Sequence, residues 1–309
     1  RAVLRQHRRQ ADPALYSLAR KRRSVAAYSG KFCTSLWPAA GRCSVSGVRG
    51  KAATVWGLLD GNGRSGLVLD PGQAFAVDLT NSLTDPTIIH WHGQIPPNAQ
   101  DGVPDLPMPV LQPGETRAYD FVARPGTHWM HSHHELQVQS LLTAPLIVRS
   151  TEDAALDLQE VVVMLNDFSF RSPEEILAEL TGGSGMDHGA MPGMDSGGMD
   201  MNSMSSMDSM ASMGNMDLND VEYDAYLAND RTLDDPEVVR TERGGRVRLR
   251  IINGAASTAF WIDLGDHIAS AIAVDGNAVS PVSGTRFPLA QAQRLDLVVD
   301  VPAGATVPV

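Results

Sequence analysis

Turn dipeptides cut the chain from Ala53 onward into short apolar runs, and that punctuation restricts the fold more than any other feature. Pro71-Gly72, Asp101-Gly102, Pro113-Gly114 and Pro125-Gly126 are turns with a mechanism, because proline presets φ and glycine accepts positive φ without steric cost. Between them the runs alternate with period two. Ala74 to Leu79 puts Phe75, Val77 and Leu79 on one face, and Thr87 to Trp91, Thr116 to Val122, Thr127 to His131 and Leu146 to Val148 continue the pattern. A second set opens at Val161 to Leu165 and resumes with Val247, Leu249 and Ile251 alternating against Arg246, Arg248 and Arg250. Phe260 to Leu264, Ile268 to Val274 and Arg294 to Val301 follow. Only Pro173 to Leu180 reads as a helix, with proline at its start and Glu174 and Glu175 in its first turn. Many short strands at this spacing predict an all-β chain of two β-sandwiches, 53–152 and 153–309, joined near residue 152.

The second set is interrupted by a segment of another character. Ten of the thirteen methionines lie between Met186 and Met216, mixed with Gly, Ser and Asp, and 181–217 contains no Leu, Ile, Val, Phe, Tyr or Trp. Such a stretch has too little apolar surface to offset its ordering entropy, so a disordered loop over 181–217 is expected. Residues 1–52 show no sustained period and read as a basic, poorly ordered extension. Residues 1–51 hold twelve Lys/Arg against one acid, Asp12, whereas the remainder has 13 basic and 35 acidic residues. An acidic body argues against a nucleic-acid partner and suits cations, and the basic head contains no recognisable nucleic-acid module.

Cys33 and Cys43 fit neither a CxxC pair nor a zinc knuckle, leaving a disulfide or two free thiols equally open. No apolar run is long enough to span a membrane. Arg22-Arg23 before Ser24-Val25-Ala26-Ala27 has the order of a twin-arginine export signal, but Tyr28, Ser29, Gly30 and Lys31 break the apolar stretch such a signal requires, which favours an unstructured leader.

Two His-x-His pairs carry the chemistry: His90-Trp91-His92 and His131-Ser132-His133. In a strand, residues i and i+2 share a face, so each pair presents two imidazoles side by side. Imidazole suits copper, zinc, iron and nickel. One pair alone is as well explained by surface histidines; two pairs on strands of one sandwich point to a metal. His128 and His134 have the opposite parity to His131 and His133 and are expected to face away. His7 and His267 stand alone and read as ordinary histidines.

The stretches His90-Trp91-His92-Gly93, Asp101-Gly102-Val103-Pro104 and Gly126-Thr127-His128-Trp129-Met130-His131-Ser132-His133 closely resemble the first cupredoxin domain of multicopper oxidases. Leu136-Gln137-Val138-Gln139 and Ala144-Pro145-Leu146-Ile147-Val148 extend the likeness. Arg250-Ile251-Ile252-Asn253-Gly254-Ala255 and Ala273-Val274-Asp275-Gly276 are similar to the family's second domain, and the methionine-rich insertion is similar to that of bacterial periplasmic copper-resistance oxidases. The resemblance covers about 53–309. It implies tandem cupredoxin-like Greek-key sandwiches, a copper cofactor in a trinuclear type 2 and type 3 cluster, dioxygen as partner, and a periplasmic or otherwise exported location. It implies that His90 binds the type 2 copper, His92 and His131 share one type 3 copper, and His133 binds the other. Asp101 matches the acid that relays protons near the cluster; a turn aspartate before Gly102 is the plainer alternative.

The resemblance also implies a type 1 copper site with two histidines, a cysteine and an axial methionine, which the family carries near its C-terminus. Both cysteines here precede His90. The expectation is an N-terminal fragment or truncated product, its second sandwich incomplete, holding half of the cluster's ligands and unable to complete a cycle alone. The full protein would couple one-electron oxidation of cuprous ion or a phenolic donor to reduction of dioxygen to water, in the service of copper tolerance. The competing function is copper binding or sequestration without turnover. Thioether sulfur is a soft donor for cuprous copper, so accessory binding is expected from Met186, His188, Met191, Met194, Met199, Met201, Met204, Met207, Met210, Met213 and Met216.

Overall fold

The computed structural model describes residues 23–32, 53–156, 158–181, 221–241 and 245–309. The methionine-rich segment, His7, Cys33 and Cys43 lie outside them. The first sandwich is built from β1 (Arg23–Phe32), β2 (Ala53–Asp60), β3 (Leu67–Leu69), β4 (Phe75–Asn81), β5 (Ile89–His92), β6 (Thr116–Phe121), β7 (Gly126–Ser132) and β8 (Thr143–Val148). One sheet has the order β2-β1-β4-β6 and the other β3-β8-β7-β5. Their inner faces meet in an aromatic core. Phe75 stacks on Phe121 at 4.2 Å, and Trp91 meets Phe75 edge-on at 4.8 Å and Tyr119 at 4.9 Å. Truncating a buried aromatic of this kind costs about 3–5 kcal/mol, so the core pins β5 where it is.

Strand β1 corrects the reading of 1–52 as an extension. It pairs with β2 antiparallel, Val25 opposite Asp60, and with β4 parallel, Arg23 opposite Val77. A strand laddered on both sides is held by backbone hydrogen bonds to distant segments, and such bonds leave no local period in the sequence.

A short helix, α1 (Thr151–Leu156), joins the sandwiches at the point where the sequence placed only a junction. The second sandwich comprises β9 (Gln159–Phe168), α2 (Pro173–Leu180), β10 (Ala225–Ala228), β11 (Arg246–Asn253), β12 (Phe260–Asp263), β13 (Ala269–Val274), β14 (Asn277–Gly284), β15 (Arg286–Leu289) and β16 (Arg294–Asp300). Its sheets run β10-β9-β11-β16-β13-β14 and β12-β15. Helix α2 starts as expected. Ser172 accepts from Glu175 N while the Glu175 side chain accepts from Ser172 N, a capping box with Pro173 at the first turn. Strands β10, β14 and β15 have no counterpart in the sequence reading. In β14 the side chains are exposed almost throughout, so no apolar alternation marks it.

The arginines of β11 are the second departure from simple alternation. Arg250 is fully buried and Arg248 nearly so. Arg248 reaches Asp296 at 2.6 Å and also Asp153, and Arg250 joins Asp153 at 3.0 Å, Asp296 at 3.1 Å and Glu160. Burial alone would raise the Asp153 and Glu160 carboxyls, but hydrogen bonds from Arg248, Ser150 and Arg250 to the first, and from Arg149 and Arg250 to the second, outweigh it and hold both below their usual range. The network reaches the first sandwich through Thr127, whose Oγ1 donates to Asp296 Oδ1 at 2.6 Å and accepts from Arg250 Nη1 at 3.0 Å.

Candidate metal centre

Strands β5 and β7 pair antiparallel with Ile89 opposite Ser132, His90 opposite His131, Trp91 opposite Met130 and His92 opposite Trp129. This register brings the two His-x-His pairs, distant in sequence, to one face of the sheet. Trp91, between His90 and His92, and Met130, just before His131, lie on the other face and are completely buried in the aromatic core. The apolar residue in the middle of each strand therefore locks which way the imidazoles point. A slip of one residue would put Trp91 in water.

The four predicted ligands converge. Ligand atoms of His90, His92 and His131 all lie within 4.8 Å of one another. His133 continues the ladder, its N bonded to Ile88 O at 3.1 Å, and its ring centroid lies 4.7 Å from His90 and 4.8 Å from His131. Two of the rings are oriented by backbone carbonyls. His90 Nδ1 donates to Asp101 O at 2.8 Å, and His131 Nδ1 donates to Ser132 O at 3.0 Å, which leaves Nε2 of both as the free lone pair. His92 Nδ1 faces His131 Nε2 at 3.2 Å. Two nitrogens each about 2.0 Å from one metal at a near-tetrahedral angle stand roughly this far apart.

Electrostatics favour neutral, metal-ready rings. Burial, then the Arg294 guanidinium and the neighbouring imidazoles, lowers His92 to about 3. Burial, with His133, His90 and His92, lowers His131 to about 3. Burial and His90 lower His133, against the pull of Asp101. Deprotonated imidazole is the form that binds metal, so protons offer little competition here at neutral pH.

Asp101 sits where the sequence placed it, for a backbone reason. Gly102 has φ +78°, and a Cβ there would lie 1.9 Å from Ile89 O and 2.9 Å from His90 N. Only glycine lets the loop press against β5, and that approach brings the Asp101 carbonyl onto His90. The carboxylate follows, with Oδ1 3.3 Å from His90 Nδ1 and its side chain about one-third exposed.

His128 faces away, as parity requires, and His134 lies beyond the end of β7. His128 is fully buried between Gly93 and Gly276, where a Cβ on either glycine would come within 2.4 or 2.6 Å of its ring. His134 is 3.5 Å from Glu135. His267 lies in a turn, its N bonded to Leu264 O at 3.2 Å.

Several positioning residues were not picked out from the sequence. Gln137 is buried and accepts from Thr87 Oγ1 and Ser132 Oγ, both at 2.7 Å, while donating to Pro86 O at 2.7 Å. It fastens the turn between His131 and His133 to the entry of β5; the motif Leu136-Gln137-Val138-Gln139 was the signal that contained it. Trp129, between the histidines and the second sandwich, is another.

The comparisons agree with this architecture. Multicopper oxidase family models match residues 44–153 and 160–306. Multicopper oxidase MmcO of Mycobacterium tuberculosis is 32% identical over 238 residues, covering 75% of this chain and 45% of that protein. Copper resistance protein A of Escherichia coli is 33% identical over 270 residues, covering 83% of this chain and 44% of the relative. The chain thus spans under half the length of these relatives. Among solved structures, a multi-copper oxidase from Pseudomonas thermotolerans superposes with a TM-score of 0.64 at 23% identity, over 92% of this chain and 59% of that one.

Proposed function

The chain belongs to the multicopper oxidase family, and from that premise we propose that His90, His92, His131 and His133 are the half of a trinuclear copper cluster that the first domain of such an oxidase supplies. The observation that carries the reading is the facing pair His92 Nδ1 and His131 Nε2, 3.2 Å apart and neutral at physiological pH. In this reading His90 Nε2 holds the type 2 copper, His92 Nδ1 and His131 Nε2 share one type 3 copper, and His133 holds the other. Copper held there would supply one-electron chemistry between a cuprous or phenolic donor and dioxygen, with water as the product.

The protein's part is orientation and proton handling. The carbonyls of Asp101 and Ser132 fix the tautomers of His90 and His131, the usual way a fold aims a metal-binding imidazole. Asp101, partly exposed and beside both His90 and His133, carries protons inward at its carboxyl oxygen. The copper-tolerance role and a periplasmic or otherwise exported location rest on the resemblance to copper-resistance oxidases. No helix among the described residues is long and apolar enough to cross a membrane.

The test is cupric titration of the chain followed by electron paramagnetic resonance. His90→Ala, His92→Ala, His131→Ala and His133→Ala should each reduce bound copper, with nitrogen hyperfine lines lost, while His134→Ala retains it. Unchanged copper in any of the four would remove that residue from the ligand set. A second reading, copper sequestration without turnover, is favoured by the ten methionines between Met186 and Met216. The two readings part on the coding sequence beyond Val309: a further domain with a cysteine-containing histidine motif supports the oxidase.

A further inference from the structure

We propose that the second sandwich, which contributes none of the four histidines, sets the separation of His92 and His131 by wedging Trp129 against them; the inference rests on the copper reading above. The indole stacks on His131 with centroids 4.2 Å apart at 23°, and lies 5.1 Å from His92 at 30°. One rigid ring thus backs both imidazoles whose nitrogens face each other at 3.2 Å. Trp129 is 3% exposed, and it packs with Ile147 of its own domain and with Met164, Ile252, Val162 and Ala292 of the second. Its Nε1 has no hydrogen-bond partner among the described residues, so packing alone sets the ring's position.

The strand behind the wedge is anchored to the same domain. Thr127, Trp129 and His131 share a face of β7 by period two. Thr127 is held by Asp296 and Arg250, and its carbonyl accepts from Arg294 Nε at 3.3 Å. Gly126 abuts the turn before β14 so closely that a Cβ would lie 2.7 Å from Gly276 Cα. Two successive residues on this face are therefore fixed by the second sandwich, and the third is a ligand. Close-packed interiors transmit displacements of this kind because there is no free volume to absorb them. Trp129 is on this account a positioning residue, and Met164 and Ile252 are its supports.

The experiment compares Met164→Ala and Ile252→Ala with the conservative Met164→Leu, and with Leu297→Ala as a control cavity buried in the second sandwich's own core. Two readouts are taken on the full chain well below its unfolding temperature. In cupric titration, the Met164→Ala and Ile252→Ala variants should bind copper about 10–100-fold more weakly, the range for losing a group that orients a ligand, with altered hyperfine splitting; Met164→Leu and Leu297→Ala should match the parent. In nitrogen-15 spectra of the copper-free chain, the same two alanine variants should shift the His92 and His131 ring signals and leave His267 unmoved. Unchanged His92 and His131 signals with parental copper affinity would overturn the wedge. An equal loss of affinity in Leu297→Ala would overturn it too, because general loosening would then suffice. A parent chain that binds no copper would instead defeat the copper reading, and the copper-free spectra would still decide the wedge.

Discussion

Gly102→Ala is the sharpest single perturbation of the site that leaves every ligand in place. The left-handed φ of +78° at this residue costs a non-glycine residue about 1–2 kcal/mol. The new Cβ would sit 1.9 Å from Ile89 O and 2.9 Å from His90 N, both backbone atoms of a strand laddered to β7, so neither can turn aside as a side-chain tip would. Relief requires the 98–102 loop to lift away, at about 1–3 kcal/mol for forced repacking. That movement breaks the His90 Nδ1 bond to Asp101 O, worth about 0.5–1.5 kcal/mol. A loss of about 3 kcal/mol or more in the stability of the first sandwich is expected by denaturant unfolding. With its Nδ1 donor site released, His90 also loses its fixed tautomer, so copper affinity should fall about tenfold or more even below the unfolding transition. The matched control is Gly63→Ala, also at positive φ but with open space around its Cβ. Gly63→Ala should carry the conformational cost alone and leave copper binding intact. If Gly102→Ala unfolds within about 1 kcal/mol of the parent and titrates with copper normally, the argument from close approach is refuted.

Acid should destabilise the domain junction through Asp153 and Glu160. Their folded carboxyls titrate below the ordinary 3.8 and 4.5, so the stability they add is full above those values and is lost as pH falls through the lower folded ones. The melting temperature should drop steeply below about pH 4, and Arg250→Met should both cost about 3–5 kcal/mol of unfolding stability at neutral pH, as a broken buried pair does, and flatten the acid limb. Copper-loaded chain should show no intense blue absorption, since neither cysteine follows the histidine motifs; a strong thiolate charge-transfer band would mean that Cys33 or Cys43 is recruited. Deleting Met186–Met216 should markedly lower retention of cuprous copper against a competing chelator, while single Met→Ala changes do little. Equal retention by the parent and the deleted chain would reduce the segment to a linker.

Residue type and spacing alone determined the local facts of this protein. Period-two parity assigned His90 and His92, and His131 and His133, to shared faces and turned His128 away, because side-chain direction in a strand depends only on position. Turn dipeptides marked the sandwiches, and Asp101-Gly102 was legible only as one of those turns; its close approach to β5 came from the structure. Tertiary structure alone decided what lies against each face. The sandwich adopts β1 because β2 and β4 flank it on both sides, and local periodicity carries no trace of a ladder to distant strands. The alternation of β11 announces two faces, but only packing buries Arg248 and Arg250 among Asp153, Glu160 and Asp296. The meeting of the two histidine pairs is itself a long-range outcome. Register between β5 and β7 is set by burying Trp91 and Met130 opposite each other, an energy that exists only once both strands share a core.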